Sequence, residues 1–481
     1  MTAPRSPTQG SKKTVSKQSG AGKSEKVSVY VTGRDASPVP SPRKASVSLN
    51  PENSAESAVE YVGSHPVSPE APPKNTFWGY MHRVMLPWVL DYEHHVVAVQ
   101  RMFGVVYSAR PNEEPQITNK LADQLLRLVS ELGNEVFLAL WATLISTWFD
   151  YRLATQMVIL WAFALYFGQY LKDSVRLPRP GLRPGSQVAR LEKHYQFEFG
   201  FPSTHMMLAV SQPVLFIYKL YTQYEMTSVP LFLGLLVFAT FWMVGTPLSR
   251  LYLGVHSSFD VVTGCILGLF SLFFVTFSSD LVGGELYTPL GALCVVLVSI
   301  FLMAIYPRPG RWVNSPGDTA IVVGTTAGVL IGYAFNVSVI IPMFGLPFGP
   351  QPQSFSLSTE LSQSGLQFVT YQKLALPVSY AHCLIAIARL LLTVVCIYLA
   401  RKVIFKPICL IVLRALFGKE PPHTTAEETA LLKGDKLVRA YQIEVWEKFF
   451  GYGTMGFGAT AIWTYVWDYI GLVYSLPNIK A

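Results

Sequence analysis

Residues 229–260 read VPLFLGLLVFATFWMVGTPLSRLYLGVHSSFD. Nothing from Val229 to Ser249 carries a charge, so the run supplies the ~20 apolar residues that a helix needs to cross a bilayer core. It then passes into sequence of another kind: Ser249-Arg250, five residues, His256, three residues, Asp260. The first part sets the fold class. The second places a cation, an imidazole and a carboxylate at the end of a membrane helix, where ionisable groups are costly unless they face a polar cavity.

The rest of the chain agrees. It has 481 residues, 51% hydrophobic and 14% charged, where a soluble domain carries roughly 25% charged residues. Apolar runs lie near 134–150, 154–171, 203–221, 228–247, 256–277, 286–306, 319–342, 379–403 and 454–475. They are continuous rather than alternating, which excludes a membrane barrel. The expected fold is all-α, a polytopic helical membrane protein of about nine spans. Its membrane core covers 134–306, with further helices and connectors over 307–481. Residues 1–75 are rich in Ser, Pro, Lys and Gly and bury too little to offset ordering entropy, so they read as a disordered tail. Its Ser-Pro steps at Ser6, Ser37, Ser41 and Ser68 are either solvated linker or proline-directed phosphorylation sites. Residues 76–133 carry interfacial aromatics but no unbroken span, which predicts helices lying at the surface. Residues 404–417 either extend the eighth run or lie flat. Residues 343–372 read as a loop and 418–450 as a polar, helix-friendly extramembrane connector.

Several function classes drop out. Cys265, Cys294, Cys383, Cys396 and Cys409 all lie in apolar runs, as small core residues do, and no Cys/His spacing suggests zinc. The net charge of +8 flanks membrane segments and forms no basic stripe with interleaved aromatics, so no nucleic-acid partner is expected. The first 30 residues lack the apolar core of a cleavable signal peptide. His94, His95 and His382 read as structural or solvated, and the acceptor Asn336-Val337-Ser338 falls inside a predicted span, where it would go unused.

Two further stretches share the chemistry of 249–260. Lys172 is followed, after six residues, by Arg179-Pro180, and later comes Pro202-Ser203-Thr204-His205. Arginine offers a planar fork for phosphate oxygens and lysine a mobile point charge, although both could be juxtamembrane cations that snorkel. Ser203 and Thr204 open a helix, whose free amides and partial positive charge suit an anion. A plain N-cap also explains the serine but leaves His205 unexplained. His256 and Asp260, four apart, share one helix face. The carboxylate can orient the ring as base and orienter do in triad enzymes, or the two can be a satisfied polar pair. A metal is disfavoured because Lys172, Arg179 and Arg250 would repel it. Counting spans brings Lys172, His205 and His256 to one membrane face, as a single site requires.

In this order and spacing the three stretches resemble the signature of the type 2 phosphatidic acid phosphatase superfamily. Many members have glycine where this chain has Thr204, a departure similar to what sphingosine-1-phosphate phosphatases carry. The long polar tail and the spans after the core also look like that branch. The resemblance implies a six-helix phosphatase core and hydrolysis of a membrane lipid phosphate. His256 would be the nucleophile, Asp260 its orienter and His205 the acid that protonates the leaving alkoxide and then activates water. Lys172, Arg179, Ser203, Thr204 and Arg250 would bind the phosphoryl oxygens, with no metal and no cofactor. It also implies an endoplasmic reticulum membrane with the site facing the lumen. The excess of Lys and Arg on the catalytic face points the other way, to the cytosol; part of that excess is the proposed site itself, and the lumen is the expected side. Oligomeric state is left open.

Overall fold

The computed structural model describes residues 71–462, apart from 108–114, 149–150, 182–185, 193–194, 196–197, 226–228, 309, 345–373, 376–379 and 419–433, together with residue 466. The four Ser-Pro steps, the 343–372 loop beyond Phe344 and the side chain of His382 lie outside the described residues. The helices are α1 (Phe77–Asp91), α2 (Glu93–Met102), α3 (Lys120–Ser130), α4 (Glu135–Trp148), α5 (Tyr151–Val175), α6 (Thr204–Gln223) and α7 (Val229–Tyr252). They continue with α8 (Ser258–Val282), α9 (Pro289–Ile305), α10 (Ser315–Phe335), α11 (Ile341–Phe344), α12 (Tyr380–Ala400), α13 (Lys406–Phe417) and α14 (Gly434–Phe457). Among the described residues, strand pairing is confined to two pairs of two-residue segments. The protein is an all-α, multi-pass membrane protein.

Each of the first eight predicted runs corresponds to a helix. Four stretches are long and apolar enough to cross by length and composition: Val229–Tyr252, Ser258–Ser278, Ser315–Ile340 and Leu384–Phe417. The last one settles 404–417, since the eighth run continues through a π-helical turn into α13. The pair Lys120–Gly133 and Glu135–Ser146, bent by 62°, also passes when taken together. Helix α5 spans 25 residues, about 37 Å at 1.5 Å per residue, but dilutes its apolar character with groups such as Thr155, Gln156 and Gln169. A polar residue on an inner helix is tolerated where a neighbour satisfies it, as where Gln212 of α6 donates to the Met157 carbonyl of α5 at 3.0 Å.

Helix α6 packs against α5, α7 and α8, and small residues set how closely. A Cβ on Gly264 of α8 would stand 2.5 Å from the Ser203 carbonyl oxygen, and one on Gly268 2.6 Å from that of Met207. Glycines four apart let two backbones approach in a membrane, and here the approach lies beside the start of α6. The same device joins α10 to α14. Cβ atoms on Gly324, Gly328 and Gly332 would collide with Phe449, Gly453 and Thr460. The stretch read as a polar connector therefore contributes residues 434–450 to a helix packed along α10, burying Leu437, Ala440, Tyr441, Ile443 and Phe449. Its charges include buried Glu447, paired with Arg401 at 3.1 Å, and Lys448, 3.8 Å from Asp318 of α10, and they mask that face in the composition. Asn336 is buried and donates to the Thr460 carbonyl, so it is not presented as a glycan acceptor.

Candidate active site

Each predicted site residue stands at a helix end or in the short stretch beside one. Helix α5 stops after Val175, where Arg176 takes φ 58° and Pro178 cannot continue the hydrogen-bond ladder. Lys172 lies in its last turn. Helix α6 opens on Ser203, whose Oγ accepts from the Met206 amide at 3.4 Å. Helix α7 ends at a tight turn: Gly254 has φ 69°, a conformation that glycine adopts at no steric cost. Helix α8 begins with a reciprocal cap. The Asp260 amide donates to Ser257 Oγ at 3.2 Å, and Asp260 Oδ2 accepts from the Ser257 amide at 2.7 Å. This is a capping box with aspartate in the glutamate position. The Ser203 amide then donates to the Asp260 carbonyl at 3.1 Å, tying the start of α6 to the start of α8.

The three stretches meet. Arg179 Nη1 donates to the Val255 carbonyl at 2.8 Å and stands 3.4 Å from His256 Nε2. Lys172 Nζ donates to Thr204 Oγ1 at 3.3 Å. Arg250 Nη1 donates to Ser130 Oγ at 2.8 Å. Lys172, Arg179, Ser203, Thr204, Arg250, His256 and Asp260 are all buried, and His205 is half-buried. Three of these groups keep unmatched polar atoms: Nε and Nη2 of Arg250, Nδ1 of His256 and Oδ1 of Asp260. His256 Nδ1 lies 3.8 Å from Asp260 Oδ2, beyond hydrogen-bond length, because that oxygen serves the cap.

The contacts constrain the ring's proton. A guanidinium can only donate, so Nε2 of His256 meets Arg179 as an acceptor and the proton belongs on Nδ1, facing Asp260. His256 occupies the link between α7 and α8. Burial, reinforced by Arg179, Arg250, Lys172 and His205, holds its pKa well below the ordinary histidine value. The result is a neutral imidazole with its Nε2 lone pair beside three cations. Burial likewise lowers the pKa of Arg179, opposed by the Glu198 carboxylate. Among the described residues, no group of three His, Cys, Asp or Glu side chains is arranged to hold a metal ion.

Sequence reasoning missed the groups that hold the cradle in place. Glu198 Oε2 accepts from Arg179 Nη2 at 2.9 Å. The Tyr195 ring lies under both the Arg179 and Arg250 guanidiniums, with His205 edge-on to it. Gly133 packs beneath His205. The stretch expected only to lie at the membrane surface also clamps the site loops. Buried Gln100 donates to the Ala189 and Tyr252 carbonyls at 2.6 and 2.8 Å. Glu93 accepts from Gly181 N and Ser186 Oγ, and His82 Nδ1 stands 2.8 Å from the Val175 carbonyl. A lone Gln or Glu carries no spacing signal. The Ser257-x-x-Asp260 cap was legible as a motif.

Residues 153–280 match the PAP2 superfamily. The chain is 27% identical over 348 residues to sphingosine-1-phosphate phosphatase 1 of Rattus norvegicus, covering 71% of each protein. It is 30% identical over 244 residues to sphingosine-1-phosphate phosphatase 2 of Mus musculus, covering 50% of this chain and 67% of that one. It is 24% identical over 213 residues to a dihydrosphingosine 1-phosphate phosphatase of Saccharomyces cerevisiae, covering 43% and 51%. No solved structure matches it. The chain belongs to the PAP2 superfamily. By class it is a lipid phosphate phosphatase.

Proposed function

We propose that the protein hydrolyses the phosphomonoester of long-chain base phosphates, such as sphingosine 1-phosphate and dihydrosphingosine 1-phosphate, through a phosphohistidine on His256. The observation that carries this reading is the neutral, buried His256 with Nε2 3.4 Å from Arg179 Nη1, next to Lys172 and the unmatched donors of Arg250. The substrate class rests on the names of the relatives. In the first half-reaction the Nε2 lone pair attacks phosphorus and the P–O bond to the lipid breaks. His205 delivers its proton to the departing alkoxide. In the second, His205 takes a proton from water, the hydroxide attacks phosphorus, the P–N bond breaks and inorganic phosphate leaves. Lys172, Arg179, Arg250, Ser203 and Thr204 supply the charge and hydrogen bonds that phosphoryl transfer needs, so the reaction runs without a metal. Asp260 faces the Nδ1 proton and stabilises the ring as it becomes positive. The proposed setting is the endoplasmic reticulum membrane with the site facing the lumen.

Purified protein should release phosphate from sphingosine 1-phosphate in detergent micelles and form an acid-labile phosphoenzyme. His256→Ala should abolish both while folding normally. Turnover by His256→Ala would remove the nucleophile from the scheme. A lipid panel separates the long-chain bases from phosphatidic acid and polyprenyl diphosphate, the alternatives that the same phosphoryl site could serve.

A further inference from the structure

The described part of the loop between α5 and α6 includes Tyr195 and Glu198, which meet Arg179, Arg250 and His205 of the site. The Glu198 amide donates to the Tyr195 carbonyl at 3.1 Å, so residues 195 and 198 are presented together. The turn is fastened to the backbone around Arg179. The Gly200 amide donates to the Leu177 carbonyl at 2.8 Å, and a Cβ at Gly200 would lie 3.1 Å from the Pro178 carbonyl oxygen and 3.3 Å from Arg179 Cα. From this seat Glu198 pairs with Arg179 at 2.9 Å. The Tyr195 ring centroid lies 5.0 Å from the Arg179 guanidinium carbon and 4.6 Å from that of Arg250. The His205 ring stands 6.2 Å away, 88° to it.

Three buried cations close enough to share one phosphoryl group repel one another before that group arrives, and in a buried site the repulsion is poorly screened. The turn answers both halves of this problem. An aromatic face attracts cations through its quadrupole, and one ring faces both guanidiniums. A carboxylate on Arg179 offsets one charge, but it competes with phosphate for the same fork. We infer that Tyr195 and Glu198 are positioning residues with opposed effects: Tyr195 pre-organises the phosphate-binding arginines, and Glu198 moderates their grip so that the phosphate product can leave. This inference rests on the phosphatase reading above.

The test is equilibrium binding of inorganic phosphate to the purified full chain, a readout independent of turnover. Tyr195→Leu should weaken phosphate binding by about tenfold, within the range set by two partly desolvated cation–π contacts. Tyr195→Phe, which keeps the face, should stay within about threefold of wild type. Glu198→Gln keeps an acceptor for Arg179 but loses the competing charge. It should tighten phosphate binding by about fivefold, the order of one charge-assisted contact, and lower kcat and KM together as phosphate release becomes limiting. A merely structural role cannot strengthen binding. If Tyr195→Leu does not fold, Tyr195→Met carries the same comparison. Binding unchanged in Tyr195→Leu, or equally weakened in Tyr195→Phe, overturns the role of the ring; weaker binding by Glu198→Gln overturns that of the carboxylate. A wild-type chain that neither binds phosphate nor forms a phosphoenzyme removes the phosphatase reading itself.

Discussion

Replacing Gly133 by alanine drives a methyl group into His205. Gly133 stands at the end of a short 3₁₀ turn between α3 and α4, where the chain bends by 62°. An ideal Cβ there would lie 2.6 Å from His205 Cδ2 and 3.0 Å from both Cβ and Cγ. Ordinary carbon–carbon contacts sit near 3.5–4.0 Å, so the ring must retreat by about 1 Å. A misplacement of that size costs on the order of 100-fold when it displaces a group from the reacting geometry, or about 2.7 kcal/mol of transition-state stabilisation. Since His205 is proposed to protonate the leaving alkoxide, the loss should fall on kcat, with KM within a few-fold of wild type. Phosphate release from sphingosine 1-phosphate measures it. The specific check is a double-mutant cycle. In a His205→Ala background the added methyl meets no ring, so Gly133→Ala should cost little more. Wild-type kcat in Gly133→Ala, or the same loss with and without His205, would refute the idea that Gly133 acts through that ring.

Three further outcomes follow from the geometry. His256 is held well below the ordinary histidine pKa by burial and by Arg179, Arg250, Lys172 and His205. Its neutral form, the proposed nucleophile, therefore survives into acid, and activity should be lost only as pH falls through that lowered value. Arg250→Gln removes one of the causes and should move the acid limb of kcat/KM upward, while the substrate's own ionisation stays fixed. Gly254→Ala places a side chain at φ 69°, against the Ala189 carbonyl and 3.0 Å from Gln100 Nε2. The left-handed backbone alone costs ~1–2 kcal/mol, so thermal unfolding in detergent should shift down and activity should fall with the displaced 253–257 link. Gly328→Leu pushes α14 off α10 at the Gly453 backbone. It should lower the unfolding temperature, overpacking costing ~1–3 kcal/mol, while preserving the pH profile of the remaining activity.

The sequence reveals what has a period, a length or a spacing. Uncharged runs such as 229–249 mark helices, and alternating helix direction brings Lys172, His205 and His256 to one face. Pro202, Gly254 and the prolines around Arg179 mark where helices stop and start. The hidden part is carried by single residues that act across long sequence separations. Gln100 reaches Ala189 and Tyr252, and Gly133 touches His205. Nothing in the neighbourhood of a buried glutamine announces its partners. Helix α14 was hidden for a different reason: its charged residues lower its average hydropathy, while the small residues that fit it to α10 are individually unremarkable in composition.

On the proposed mechanism, Asp260 serves the fold first and the chemistry second. In the described geometry Oδ2 completes the cap of α8, and Nδ1 of His256 stands 3.8 Å from it. A neutral ring places little demand on that carboxylate. In the proposed reaction the ring becomes cationic once Nε2 bonds to phosphorus, and its attraction to Asp260 rises when the three neighbouring cations are engaged by phosphoryl oxygens. A contraction of less than about 1 Å brings Nδ1 to hydrogen-bond length, and catalytic hydrogen bonds commonly tighten in this way on going from the free enzyme to the reacting complex. The cap meanwhile fixes the carboxylate at one position on the first turn of α8. The bond between the Ser203 amide and the Asp260 carbonyl carries that position to the start of α6, where His205 stands. The partner of the proposed nucleophile and the proposed acid are thus registered by backbone rather than by side-chain adjustment, and two membrane helices can bring both to one phosphorus.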